Sequence, residues 1–84
     1  MEAVPPALVG AVSPAIKYRR VLGANIRARR KRAGLSQEKL AEKAELHPVY
    51  VSAVERGAKT ISMDALVRIA KALKTDAHDL VRGF

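Results

Sequence analysis

A chain of 84 residues has room for a single domain, and the absence of cysteine excludes disulfide bonds and thiolate metal sites. Lys and Arg number 16 against 8 for Asp and Glu, so the net charge is +8 and a polyanion such as nucleic acid is the first expected partner. The apolar residues are mostly Ala, Val, Leu and Ile, with one Phe and no Trp, a mixture that favours packed helices over a β-sandwich.

The distribution of charged and apolar residues along the chain indicates where in the cell the protein is expected. Eight of the 16 basic residues lie between Lys17 and Arg32, a stretch with no acidic residue. No segment reaches the roughly 18 apolar residues that a membrane span needs. The N-terminal segment carries the acidic Glu2 directly after Met1, lacks a basic region and is interrupted by prolines, which is not typical of a secretory signal. We therefore expect a cytoplasmic protein with no membrane partner.

The chain is predicted to divide into an N-terminal arm or linker, residues 1–16, and a folded domain, residues 17–84. The arm is rich in Pro, Ala and Val, a composition too often interrupted for a helix. Ser13 and Pro14 suit the cap and the first position of a helix. The first helix starts there or nearer Arg19, and the pattern leaves both starts open.

One apolar face defines the first helix. Leu22, Ile26 and Arg30 are four residues apart and share this face. Gly23 inside the helix weakens the longer version by about 1 kcal/mol relative to Ala. The helix is predicted to end near residue 33, because Gly34 is a typical stop.

Four shorter helices follow, each with its own signals. Ser36, Ser62 and Asp76 are the predicted caps of the second, fourth and fifth helices, and the third helix opens at His47 and Pro48. Gly57 ends the third helix, and apolar residues spaced three and four apart supply a buried stripe in the second to fourth. Short connections between five helices predict an all-α fold, a compact five-helix bundle.

The second and third helices carry the most specific pattern. Gln37 to Ala44 and Pro48 to Arg56 are separated by only about three residues. Ala41 is small enough to let the two helices approach, and Leu46 and Val51 close the core between them. Two short helices joined in this way are typical of a helix-turn-helix, whose second helix enters the major groove of DNA.

These residues resemble the XRE-like family, the phage-repressor and Cro type of helix-turn-helix regulators. The resemblance runs from Leu22 to Val81, about three quarters of the chain, and is carried by NIRARRKRAGLSQEKLAEKA, YVSAVERG and ALVRIAKAL. It implies a lambda-repressor-like DNA-binding domain in a transcriptional regulator. The residues themselves predict no cofactor, no bound metal and no enzymatic activity, because no ligand set surrounds His47 or His78 and no serine has a suitable His and carboxylate beside it.

The resemblance and the residues together indicate a DNA-binding site. Gln37, in the first turn of its helix, is placed to donate to a phosphate. The positions expected to read base edges are His47, Pro48, Val49 and Ala53, with Tyr50 and Ser52 flanking towards the backbone. Pro48, Val49 and Ala53 cannot hydrogen-bond a base edge, so contact with thymine methyl groups and a preference for T-containing steps are expected. The alternatives are that these three are plain surface positions and that His47 only caps its helix.

Three further cations and one polar residue complete the predicted set. Lys59 and Thr60 follow the third helix, which is the predicted recognition helix, and would reach phosphates, with Arg27 as a weaker candidate. Arg30 lies on the buried stripe of the first helix, where an unpaired charge is costly. An ion pair between Arg30 and Glu55 is the expected resolution, and the resemblance implies it as well.

Two positions depart from the family pattern. Glu45 stands where the turn usually has Gly, so either Glu45 adopts a positive φ or the turn differs. Ala58 stands where a basic residue is common, which removes one phosphate contact.

The main hypothesis is a homodimeric repressor that binds double-stranded DNA at a pseudo-palindromic operator. Its dimer surface is expected on the fifth helix, residues 82–84 and the arm. The alternative is an antitoxin-like or adaptor module with a protein partner and secondary DNA binding. A third reading, an RNA-binding or membrane-surface protein, makes Arg27 and Lys31 important and leaves the recognition helix without a role.

Overall fold

The computed structural model describes residues 14–84 and the side chains from Ile16 onward, so the expected cap at Ser13 and the arm before it lie outside the described residues. Five α-helices and no strand occupy this part of the chain. They are α1 Pro14–Arg32, α2 Gln37–Ala44, α3 Pro48–Glu55, α4 Met63–Ala72 and α5 Ala77–Leu80. The all-α, five-helix prediction is confirmed.

Helix α1 has the earlier of its two possible starts. It begins at Pro14 and includes residues 14–16, which the predicted division had placed in the arm. A proline suits the first position of a helix because its missing N–H would have no intrahelical partner there. At the other end, Gly34 has a φ of 72° and Leu35 donates its N–H to the Arg30 carbonyl at 3.1 Å, which closes the helix.

Glu45 sets the turn between α2 and α3. Its φ of 56° and ψ of 46° are left-handed, the first of the two possibilities that the sequence left open. The Leu46 N–H donates to the Ala41 carbonyl at 2.9 Å, which is the hydrogen bond of a helix that ends in this conformation. Leu46 then packs against the core. The turn therefore keeps the geometry that glycine usually supplies, with a side chain in its place.

The core lies where α1 crosses α3 and α4 packs on α2. Its fully buried side chains come from every helix and include Ile26, Leu40, Val51, Val54, Ile69 and Leu80. Helix α1 approaches the end of α3 closely at Gly23, where a Cβ would overlap the backbone carbonyl groups of Val54 and Glu55. This contact determines how far α3 stands from α1.

Helix α5 is tied to α1 by polar side chains. Asn25 donates through Nδ2 to the carbonyl oxygens of Leu80 and Arg82, at 2.9 and 2.8 Å. The Thr75 hydroxyl donates to Asp79 at 2.9 Å, and this bond, together with the nearby Arg29 and Arg82, holds the pKa of the Asp79 carboxyl below its usual value.

The start of α5 differs from the expectation in one respect. Asp76 occupies the N-cap position, but its side chain accepts no capping hydrogen bond.

None of the helices within residues 14–84 is long and apolar enough to cross a membrane.

Candidate nucleic-acid interface

Helix α3 stands between two grooves on one face of the protein. The first groove has a volume of about 430 Å³ and is lined by Arg30, Ser36, Gln37, Glu38, Pro48, Val49 and Ser52. The second groove has a volume of about 380 Å³ and is lined by His47, Val49, Tyr50, Ala53 and Lys59. Val49 lines both grooves and is 67% exposed, so it forms the ridge between them.

The first groove brings the start of α2 beside the start of α3. Ser36 caps α2 by accepting the Lys39 N–H at 3.0 Å, and the other amides of the first turn have no carbonyl partner within the helix. Gln37 is half-buried, and its Nε2 donates to Glu55 Oε1 at 3.0 Å. Because an amide nitrogen carries two protons, Gln37 keeps one donor for a phosphate while Glu55 holds the side chain in place.

Arg30 and Glu55 form a bidentate ion pair beneath this groove. Arg30 Nε lies 2.6 Å from Glu55 Oε2, and Arg30 Nη2 donates to Oε1 at 3.0 Å. The two side chains are only 10% and 2% exposed. Arg30 Nη1 also donates to the Leu35 carbonyl at 2.8 Å, so one guanidinium joins α1, α3 and the loop before α2.

The second groove is supported by Tyr50. Its ring packs against the core, and its hydroxyl oxygen accepts the Ser62 N–H at 3.2 Å. The Lys59 ammonium lies 5.7 Å from the centroid of the same ring, a cation–π distance. Tyr50 therefore holds the loop after α3 against the recognition helix and places the Lys59 charge at the edge of the groove.

The structure gathers most of the predicted site residues on this face. Gln37, Pro48, Val49 and Ser52 line the first groove, and His47, Tyr50, Ala53 and Lys59 join Val49 in the second. Thr60 follows Lys59, and its hydroxyl accepts a hydrogen bond from Arg19 Nη1 at 3.3 Å. Arg27 is exposed on α1 and lies outside both grooves.

Sequence reasoning missed two contributions to this face. Arg30 lines the first groove in addition to pairing with Glu55. Arg19 contacts the loop after α3 through Thr60, across 41 residues of sequence. The spacing of Arg30 on the apolar stripe was a usable signal, whereas no local pattern marks the contact of Arg19. Within residues 14–84, no group of three His, Cys, Asp or Glu side chains is placed to hold a metal ion.

The fold and this face define the class of protein. An exposed helix, held rigidly by a second helix across a tight turn and flanked by a cationic loop, is a helix-turn-helix DNA-binding domain of the kind found in transcriptional regulators. Residues 26–80 match the family model described as helix-turn-helix, HTH_3. The chain belongs to this helix-turn-helix family.

Several characterised proteins are similar to this chain. The control protein C.BamHI of Bacillus amyloliquefaciens is 42% identical over 50 residues, which are 60% of this chain and 62% of that protein. The crystal structure of the restriction-modification controller protein C.AhdI from Aeromonas hydrophila has a TM-score of 0.73 and 35% identity, covering 74% of this chain and 94% of that one. SinR, a master regulator for biofilm formation solved in complex with DNA, has a TM-score of 0.68 and 33% identity over 70% of this chain and 95% of its own.

Proposed function

We propose that this protein is a sequence-specific, cytoplasmic transcriptional repressor that binds a pseudo-palindromic operator as a homodimer. The observation that carries the proposal is the exposure of α3 between two grooves, with Gln37 and Lys59 on either side of it. The likeness to SinR, solved in complex with DNA, and to control proteins supports the same reading.

The homodimer is supported by a pair of exposed aromatic residues that line neither groove. Tyr18 on α1 stacks on Phe84 with ring centroids 5.1 Å apart, and the two residues are 40% and 49% exposed. They line a cavity of about 230 Å³ together with Arg19, Leu22, Thr60 and Ile61. Aromatic residues are enriched in protein–protein interfaces, and a homodimer would present two copies of α3 to successive half-sites.

Selection of bound duplexes from a random DNA library at near-physiological salt tests the proposal. We expect an enriched inverted repeat with half-sites about 34 to 36 Å apart along the duplex, and thymine at the steps facing Val49 and Ala53. Binding that depends steeply on salt and enriches no sequence would contradict it. In that case the antitoxin-like or adaptor alternative, with a protein held at the Tyr18 and Phe84 surface, takes its place.

Replacing Gln37 by Ala is expected to weaken binding about tenfold at every DNA sequence, because a hydrogen bond to a charged phosphate is lost. The change removes no charge, so the slope of binding against salt concentration stays the same. Fluorescence anisotropy titrations of the operator and of an unrelated duplex, each at several salt concentrations, measure both quantities.

Two lysine variants are the controls for the salt dependence measured with Gln37→Ala. Lys59→Gln removes a cation from the second groove and is expected to lower the salt slope by about one. Lys43→Gln removes a cation of α2 that lies beside Leu35 and Lys74, away from both grooves, and should leave the slope nearly unchanged. If Gln37→Ala binds DNA as tightly as the unaltered protein, Gln37 does not contact the DNA.

A further inference from the structure

His47 makes a capping hydrogen bond that determines where its ring proton lies. The residue has an extended backbone, φ −75° and ψ 139°, and its Nδ1 accepts the Val49 N–H at 3.1 Å. A backbone N–H can only donate, so Nδ1 must be unprotonated. In a neutral imidazole the proton is then on Nε2, which makes that nitrogen a donor.

The Nε2–H group has no hydrogen-bond acceptor within residues 14–84 and can therefore donate to DNA. His47 is exposed, and no residue within the described range 14–84 forms a hydrogen bond with Nε2. The ring lines the second groove, next to the apolar side chains of Val49 and Ala53. The cap therefore holds a single N–H donor at the start of the recognition helix, with its direction set by the backbone.

The rest of the second groove offers donors but few acceptors. Lys59 contributes an ammonium, which has three donors and no acceptor. The Tyr50 hydroxyl oxygen already accepts the Ser62 N–H. Val49 and Ala53 have no polar side-chain atom. A base edge that faces this groove is therefore favoured when it presents acceptors and disfavoured when it presents an amino group.

We infer that His47 is a specificity-determining residue, whose capped ring selects guanine or thymine over cytosine at the base that it faces. Guanine presents N7 and O6 and thymine presents O4 as acceptors in the major groove, whereas cytosine presents only its N4 amino group. The inference deepens the proposed function and rests on it. His47 then both caps α3 and contacts a base, because the capping bond to Nδ1 is what makes Nε2 a donor.

The variant His47→Ser separates the two roles of the residue. Serine is a preferred N-cap, so it keeps the start of α3, but its short hydroxyl does not reach the base edge. The selected operator and every single base-pair change in one half-site are titrated with both proteins. Thermal unfolding of both proteins checks that the cap is preserved.

The expected result is a loss of preference at one position of the half-site. The unaltered protein binds guanine or thymine there about fivefold more tightly than cytosine, and His47→Ser loses this ratio while its other preferences remain. Where guanine is selected, 7-deazaguanine at that position weakens the unaltered protein and leaves His47→Ser unaffected. Base preferences that are identical in the two proteins, or a preference for cytosine at the position that changes, overturn the inference alone. Absence of any enriched operator for the unaltered protein overturns the proposed function and the inference with it.

Discussion

Replacing Glu55 by Ala is expected to lower the free energy of unfolding by about 3 to 5 kcal/mol, because Arg30 would keep a buried charge without its partner. The Arg30 side chain is 10% exposed and has no second carboxylate within bonding distance in the described part of the chain. Small domains are stable by only about 5 to 15 kcal/mol, so Glu55→Ala would leave a marginal fold. Urea unfolding followed by circular dichroism measures the loss.

A double variant shows whether the penalty comes from the uncompensated charge. Arg30→Met with Glu55→Leu removes both charges and is expected to recover much of the stability that Glu55→Ala loses, since apolar pairs often replace buried ion pairs at little cost. Glu42→Ala breaks the exposed pair with Lys39, whose atoms are 3.5 Å apart, and should cost less than about 1 kcal/mol. A loss in Glu55→Ala as small as that in Glu42→Ala would contradict the role assigned to the buried pair.

Glu55→Ala should also weaken DNA binding, because Glu55 holds the Gln37 side chain in place. Glu55 Oε1 accepts hydrogen bonds from both Arg30 and Gln37, so its removal frees the Gln37 amide to turn away from the first groove. Among molecules that remain folded, the affinity is expected to fall towards that of Gln37→Ala. The buried ion pair thus links the stability of the bundle to the position of a phosphate contact.

Replacing Gly23 by Ala is expected to destabilise the protein by about 1 to 3 kcal/mol or more, because the added Cβ would overlap the backbone of α3. Helix propensity alone predicts the opposite sign, since Ala is favoured over Gly inside a helix by about 1 kcal/mol. The atoms in the way are the carbonyl groups of Val54 and Glu55, which cannot turn aside as a flexible side chain can. Relief requires α1 and α3 to separate. Urea unfolding of Gly23→Ala shows directly whether the free energy of unfolding falls or rises.

The neighbouring Ala24 provides the control for Gly23. Ala24 is exposed on the same helix, so Ala24→Gly reports only the propensity cost of about 1 kcal/mol. Stabilisation by Gly23→Ala would show that the close approach of the two helices is absent in solution. The expected shift of α3 should also lower the affinity for the operator, because a displacement of the recognition helix misplaces every base contact together.

The features that the sequence determined by itself are local ones. The caps at Ser36 and Ser62 and the stop at Gly57 each involve atoms only a few residues apart, so the pattern of residue types was sufficient to place them. The apolar stripes likewise identified the core, because the helical repeat converts spacing along the chain into one face. Arg30 could be paired with Glu55 because each lay on such a stripe, where a lone charge is costly.

The tertiary structure decided what depends on the distances between helices. The Gln37 bond to Glu55 spans 18 residues, and the bond from Asn25 to the Arg82 carbonyl spans 57. In the sequence Gly23 was a weakness of the first helix, but in the fold it is the point where α1 meets α3. Glu45 is left-handed although its side chain disfavours that conformation, because the packing of Leu46 against the core and the short turn require it. Such choices are made by packing between helices, and the spacing of residues along the chain carries no information about how closely two helices will cross.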